Sequence, residues 1–132
     1  MDSLRLRTAI GQLAAAVALL GAACTAGAQQ GDIGKGAALF ATHCSECHSM
    51  KEGRHKKGPS LFATLGGKAA QREGFVYSDA LRNSQITWTA DTLSRYIANP
   101  RTAVPGGRMK YDGLESASER NDLIAYLANQ GR

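Results

Sequence analysis

Apolar residues in this chain recur at helical spacing in three places, separated by long irregular stretches. Asp32 is a suitable N-cap, and Ile33, Ala37, Phe40, Ala41 and Cys44 follow at i, i+4, i+7, i+8 and i+11. That is one face of a helix. Thr89 caps a second segment carrying Leu93, Tyr96 and Ile97, which the Asn99-Pro100 step is expected to close. Ser116-Ala117-Ser118-Glu119 has capping-box spacing, and Leu123, Ile124 and Leu127 form a stripe behind it, with Tyr126 alongside and Gly131 as the stop. A shorter turn is expected at Ser78-Asp79. No run alternates as a strand does. Ile86-Thr87-Trp88-Thr89 comes nearest and is too short to matter. The pattern predicts an all-α domain.

Residues 53–74 hold five glycines and Pro59. A loop of that length is unusual in a small domain unless it packs on something. Just before it stands Cys44-Ser45-Glu46-Cys47-His48, the C-x-x-C-H sequence of c-type haem attachment. Two thiols at this spacing reach the two vinyl groups of one porphyrin, and the adjacent histidine is held where its imidazole can ligate iron. Zinc would need a further Cys or His pair at suitable spacing. A redox pair of the thioredoxin kind would need a βαβ setting, and a plain disulfide is the remaining alternative.

Residues 1–28 read as a cleaved export signal. Arg5 and Arg7 form its basic start, residues 13–23 are apolar or small, and Ala26-Gly27-Ala28 supplies the cleavage pattern, so the mature domain is expected to span residues 29–132. A retained anchor from Ile10, or lipid attachment at Cys24, is the alternative. Export implies a periplasmic location, an oxidising compartment in which haem attachment would consume both thiols of the motif. The chain of 132 residues carries a net charge of +5. Export argues against nucleic acid as a partner, and no basic amphipathic helix supports stable membrane insertion. An acidic-faced protein partner and a monomeric state are expected.

A second axial ligand has four candidates: Met50, Met109, His43 and His55. Met50 is two residues from His48, and two residues span at most ~7 Å, too little to pass round a porphyrin. His43 sits on the same side by the same argument. His55 lies in the glycine-rich loop, where a bond to a backbone carbonyl is its ordinary role. Met109 follows Val104-Pro105-Gly106-Gly107-Arg108, a stiffened turn whose glycines permit close approach, and it belongs to no helical stripe. Met109 is the favoured ligand. Two permanent ligands leave no open position, and the thioether favours reduced iron, so one-electron transfer is the expected task and the protein is not expected to be an enzyme.

With these motifs placed, the chain resembles the class I, mitochondrial-type cytochromes c and is read as a bacterial periplasmic member. The resemblance runs through Gly31-Asp32-Ile33-Gly34-Lys35-Gly36, Leu39-Phe40, the attachment motif, Lys57-Gly58-Pro59-Ser60-Leu61 and Gly74-Phe75-Val76-Tyr77-Ser78-Asp79-Ala80. It continues through Ile86-Thr87-Trp88, Asn99-Pro100, Pro105-Gly106-Gly107-Arg108-Met109 and Asp122-Leu123-Ile124-Ala125-Tyr126-Leu127. It implies one haem c on Cys44 and Cys47, with iron between His48 and Met109. First and last helices would cross at Gly36, beside Phe40, Leu123 and Tyr126. Pro59 would accept a bond from His48, His55 would be a structural loop residue, Tyr77 and Trp88 would donate to a haem propionate, and Tyr96 would lie near Met109.

The implied function is an electron carrier between respiratory or photosynthetic redox proteins: cytochrome complexes, oxidases, reaction centres or dehydrogenases. A dedicated acceptor subunit of one dehydrogenase is the alternative, with a haem peroxidase or ligand sensor behind it. There are departures. The segment from His48 to His55 is one residue short, Gly67-Lys68 stands where an arginine near the propionates is common, and Leu81 replaces an asparagine. The basic residues expected near the haem edge reduce to Arg54, Lys56, Lys57, Arg101, Arg108 and Lys110, with Asp112, Glu115, Glu119 and Asp122 towards the other end.

Overall fold

The computed structural model describes residues 30–131. The leader expected at residues 1–28, with its cleavage site, anchor and lipid alternatives, lies outside the described residues. Five helices follow in order: α1 (Ile33–His43), α2 (Asp79–Asn83), α3 (Ala90–Ala98), α4 (Pro100–Ala103) and α5 (Ala117–Asn129). Among the described residues there is no strand, only an isolated antiparallel bridge between Lys68 and Thr87. Ala69 N–H to the Ile86 carbonyl and Trp88 N–H to the Gly67 carbonyl, both 2.8 Å, close it. The Ile86–Thr89 stretch thus pins the glycine-rich loop at one point. No helix among the described residues is long and apolar enough to cross a membrane.

Side-chain caps set the helix starts. Asp32 accepts from Lys35 N–H at 2.9 Å, Ser78 from Leu81 N–H and Ser116 from Glu119 N–H. The reciprocal capping box occurs at Thr89, where Thr92 bonds back to the Thr89 N–H. Helix α4 is an addition to the sequence reading. Asn99 ends α3 but also caps α4 through Thr102 N–H, and Pro100 takes the first helical position, where its missing N–H costs nothing.

Helices α1 and α5 cross because Gly36 lets them. A Cβ at that position would stand 2.0 Å from the Asp122 carbonyl oxygen and 2.7 Å from Tyr126 Cβ. Next to the crossing, Phe40 and Tyr126 pack with ring centroids 5.6 Å apart and planes tilted by 45°, and Asp32 N–H donates to Asp122 at 2.7 Å. The core joins Phe40 of α1, Leu93 and Ile97 of α3, and Leu123, Ile124 and Leu127 of α5, with Leu114 below them. Leu123, only 1 % exposed, is the most enclosed of these. Leu123→Ala is expected to lower unfolding stability by about 2–5 kcal/mol, measurable as a fall in denaturation midpoint at constant m-value. Arg120 ties α5 to its surroundings, donating to Ser94 Oγ and to the carbonyls of Leu114 and Glu115.

Candidate functional site

A cleft of about 530 Å³ opens between the end of α1, the glycine-rich loop, α3 and the segment after α4. One wall carries Cys44, Cys47 and His48, and Met109 lines the same cleft from the segment after α4. Its floor is apolar, built from Leu61, Leu81, Leu93, Ile97, Leu123 and Leu127. Among the described residues no acidic side chain borders it, whereas Lys57, Lys68, Arg72, Arg108 and Lys110 do. Such a cavity suits a large apolar ligand with negatively charged edge groups.

The attachment motif sits in the turn that ends α1. Cys47 N–H and His48 N–H both bond the Cys44 carbonyl, so the two cysteines and the histidine leave one tight turn together. Burial, with Cys47 beside it, pushes the Cys44 thiol up to about 11. His48 is buried. Its Nδ1 lies 2.8 Å from the Pro59 carbonyl, which can only accept, so Nδ1 carries the proton and Nε2 keeps its lone pair. Burial also pulls the His48 pKa below its ordinary value, favouring the neutral imidazole that a metal needs. Gly58 is required for this arrangement, since a Cβ there would stand 2.3 Å from His48 Cε1.

The other candidates divide clearly. His55 accepts from Ser60 N–H at Nδ1 and donates from Nε2 to the Glu73 carbonyl, leaving neither nitrogen for iron. Met50 packs against the core cluster and does not line the cleft. His43 borders the cleft and lies 3.3 Å from the Tyr111 hydroxyl. Tyr77, Trp88 and Tyr96 all line it too. Trp88 and Tyr96 pack together, ring centroids 5.1 Å apart and planes tilted by 55°. Burial raises the Tyr77 and Tyr96 pKa values, an effect that Arg72 offsets at Tyr77.

Arg72 was not singled out by sequence. Its Nη2 donates to the carbonyls of Phe62 and Ala63 at 2.5 and 2.7 Å, which holds a cation in the cleft on the same loop as Gly67. Its only signal in sequence is a charge inside a glycine-rich stretch. Asp112 pairs with Arg101 at 3.2 Å instead of lying apart from the basic residues. Arg54, Lys56 and Arg101 do not border the cleft, whereas Arg108 and Lys110 do.

The family model described as "Cytochrome c" matches residues 33–131. Among similar proteins, "Cytochrome c" of Gibberella zeae is 48 % identical over 98 residues, covering 74 % of this chain and 92 % of the relative. "Cytochrome c" of Stellaria longipes is 43 % identical over 102 residues, covering 76 % and 94 %. "Cytochrome c" of Arabidopsis thaliana is 42 % identical over 102 residues, covering 76 % and 91 %. These relatives correct the expected location. They come from a fungus and two flowering plants, eukaryotes that have no periplasm, so the reading of the chain as a periplasmic protein is overturned.

Proposed function

The chain belongs to the cytochrome c family, and from that premise we propose that it carries single electrons between redox proteins through a haem held by Cys44, Cys47, His48 and Met109. Membership brings a covalently bound haem c with its iron, and Cys44–His48 is the C-x-x-C-H sequence that takes it. When bound, that group supplies an iron able to gain and lose one electron. The observation that carries the reading is the shared cleft. Two thiols, a histidine with Nε2 unspent and a methionine all border one apolar cavity, with no acidic lining among the described residues.

The residues divide the work. Cys44 and Cys47 anchor the group, and Pro59 orients His48 and fixes its tautomer. Trp88 and Tyr77 would donate to the group's carboxylates and Tyr96 would lie near Met109, while Arg72, Arg108 and Lys110 add positive charge to the lining of the cleft. Leucines of the floor exclude water. With His48 and Met109 both committed to holding the group, the cleft would serve one-electron transfer. Residues 29–132 are held to be the mature domain. Intact mass of the purified protein tests both statements, the expected value being the chain from Gln29 plus one haem. Two free or oxidised thiols in the mature chain would contradict the reading.

Two further outcomes follow from the charges. Arg72→Leu is expected to lower the midpoint potential by an amount on the order of tens of millivolts, the scale of one half-buried unit charge; spectroelectrochemistry reads it directly. Partners with acidic faces, whether respiratory or photosynthetic, would meet the basic rim first. Reversal of charge at Lys110 should therefore slow second-order electron transfer to such a partner more at low than at high salt, because the Debye length shrinks from ~10 Å at 0.1 M to ~3 Å at 1 M. Reversal at Glu119 should have little effect. Equal rates at all salt concentrations would point to apolar docking.

A further inference from the structure

The segment that carries Met109 is held in place by side chains and not by its own backbone. The Gly107 N–H bonds the Val104 carbonyl at 3.0 Å, and the Leu114 N–H bonds the Ile97 carbonyl at 3.0 Å. Between these two points, among the described residues, residues 108–113 make no backbone–backbone hydrogen bond. Three side-chain ties take their place. Arg108 Nη2 donates to the Tyr77 carbonyl at 2.8 Å, Asp112 pairs with Arg101 at 3.2 Å, and the Tyr111 hydroxyl lies 3.3 Å from His43 Nδ1.

These ties differ in what they join. The Arg101–Asp112 pair is exposed on both sides, and such pairs contribute little. Arg108 fastens the near end of the segment to the loop ahead of α2. Tyr111 alone reaches the last residue of α1, which is followed directly by Cys44. Both Tyr111 and His43 border the cleft, with rings edge to face and centroids 6.1 Å apart. The phenol ring also packs on the core cluster, so its body is anchored while its hydroxyl spans the gap.

We propose that Tyr111 is a positioning residue whose hydroxyl donates to His43 Nδ1 and latches the Met109 segment against the attachment helix. The latch sets how often Met109 leaves its place and admits an outside ligand. This rests on the reading of Met109 as the distal ligand. A single intramolecular hydrogen bond shifts an opening equilibrium by roughly threefold to tenfold. An outside ligand that binds only the open form gains affinity by the same factor as that form becomes more populated.

Imidazole is a suitable probe, titrated into the oxidised, haem-loaded protein while the sulfur-to-iron absorption is followed. Tyr111→Phe keeps the ring and removes only the hydroxyl, and it should bind imidazole about threefold to tenfold more tightly. His43→Leu should match it, and the double variant should be no tighter than either single variant, since both remove one interaction. His43→Gln, whose amide oxygen can accept from the phenol, should return affinity towards the starting value. Unchanged imidazole affinity in Tyr111→Phe, or fully additive gains in the double variant, would overturn the latch. Retention of the sulfur-to-iron absorption in Met109→Ala would instead overturn the ligand assignment, so the two failures are separable.

Discussion

Met109→Ala is expected to keep its covalent haem, to lose the sulfur-to-iron absorption of the oxidised form, and to shift its potential downward. The fall should be on the order of 0.1 V, a fraction of the ~0.8 V that axial ligation spans in haem proteins. A thioether is a soft donor that favours reduced iron, and water or a hard replacement does not. Geometry supports the choice, because Met109 borders the cleft while Met50 is spent in packing against the core. Met50→Ala should leave absorption and potential unchanged and cost only packing stability. Loss of the absorption in Met50→Ala, with Met109→Ala unaffected, would reverse the assignment.

Gly36→Val is expected to do the greatest damage to the fold. Its Cβ would fall 2.0 Å from a backbone oxygen of α5, and backbone cannot turn aside as a side chain can. Helices α1 and α5 would have to separate at their crossing, loosening Phe40 from Tyr126 and exposing Leu123. Ordinary overpacking costs about 1–3 kcal/mol, and this contact should exceed that range. Because α1 leads directly into Cys44, the haem absorption should respond as well. A denaturation midpoint within error of the parent protein would show that the crossing tolerates a side chain.

Much of the scaffold was legible in the chain because its signals are local. Asp32, Ser78, Thr89 and Ser116 each mark a helix start by a bond to an N–H three residues on, an interaction that needs no tertiary context. Helix α4 was missed because Asn99-Pro100 reads as a stop, although the same two residues also make a good start. The attachment motif announced itself through spacing alone. Arg72, Arg120 and the Tyr111–His43 pair did not, since their acceptors come from segments brought together only by folding. Gly58 belongs with these: nothing in a Gly-Pro step reveals a histidine pressed against it. The location failed for a different reason. It rests on reading residues 1–28 as an export signal, whereas the relatives are eukaryotic.

A potentiometric titration of the purified protein, followed at the haem bands and at the sulfur-to-iron absorption together, tests the central reading most directly. One reversible transition is expected, with a one-electron slope of about 59 mV per decade, together with an absorption from the Met109 sulfur that rises and falls with the oxidised fraction. A transition without that absorption, or the absence of any reversible one-electron step, would contradict it.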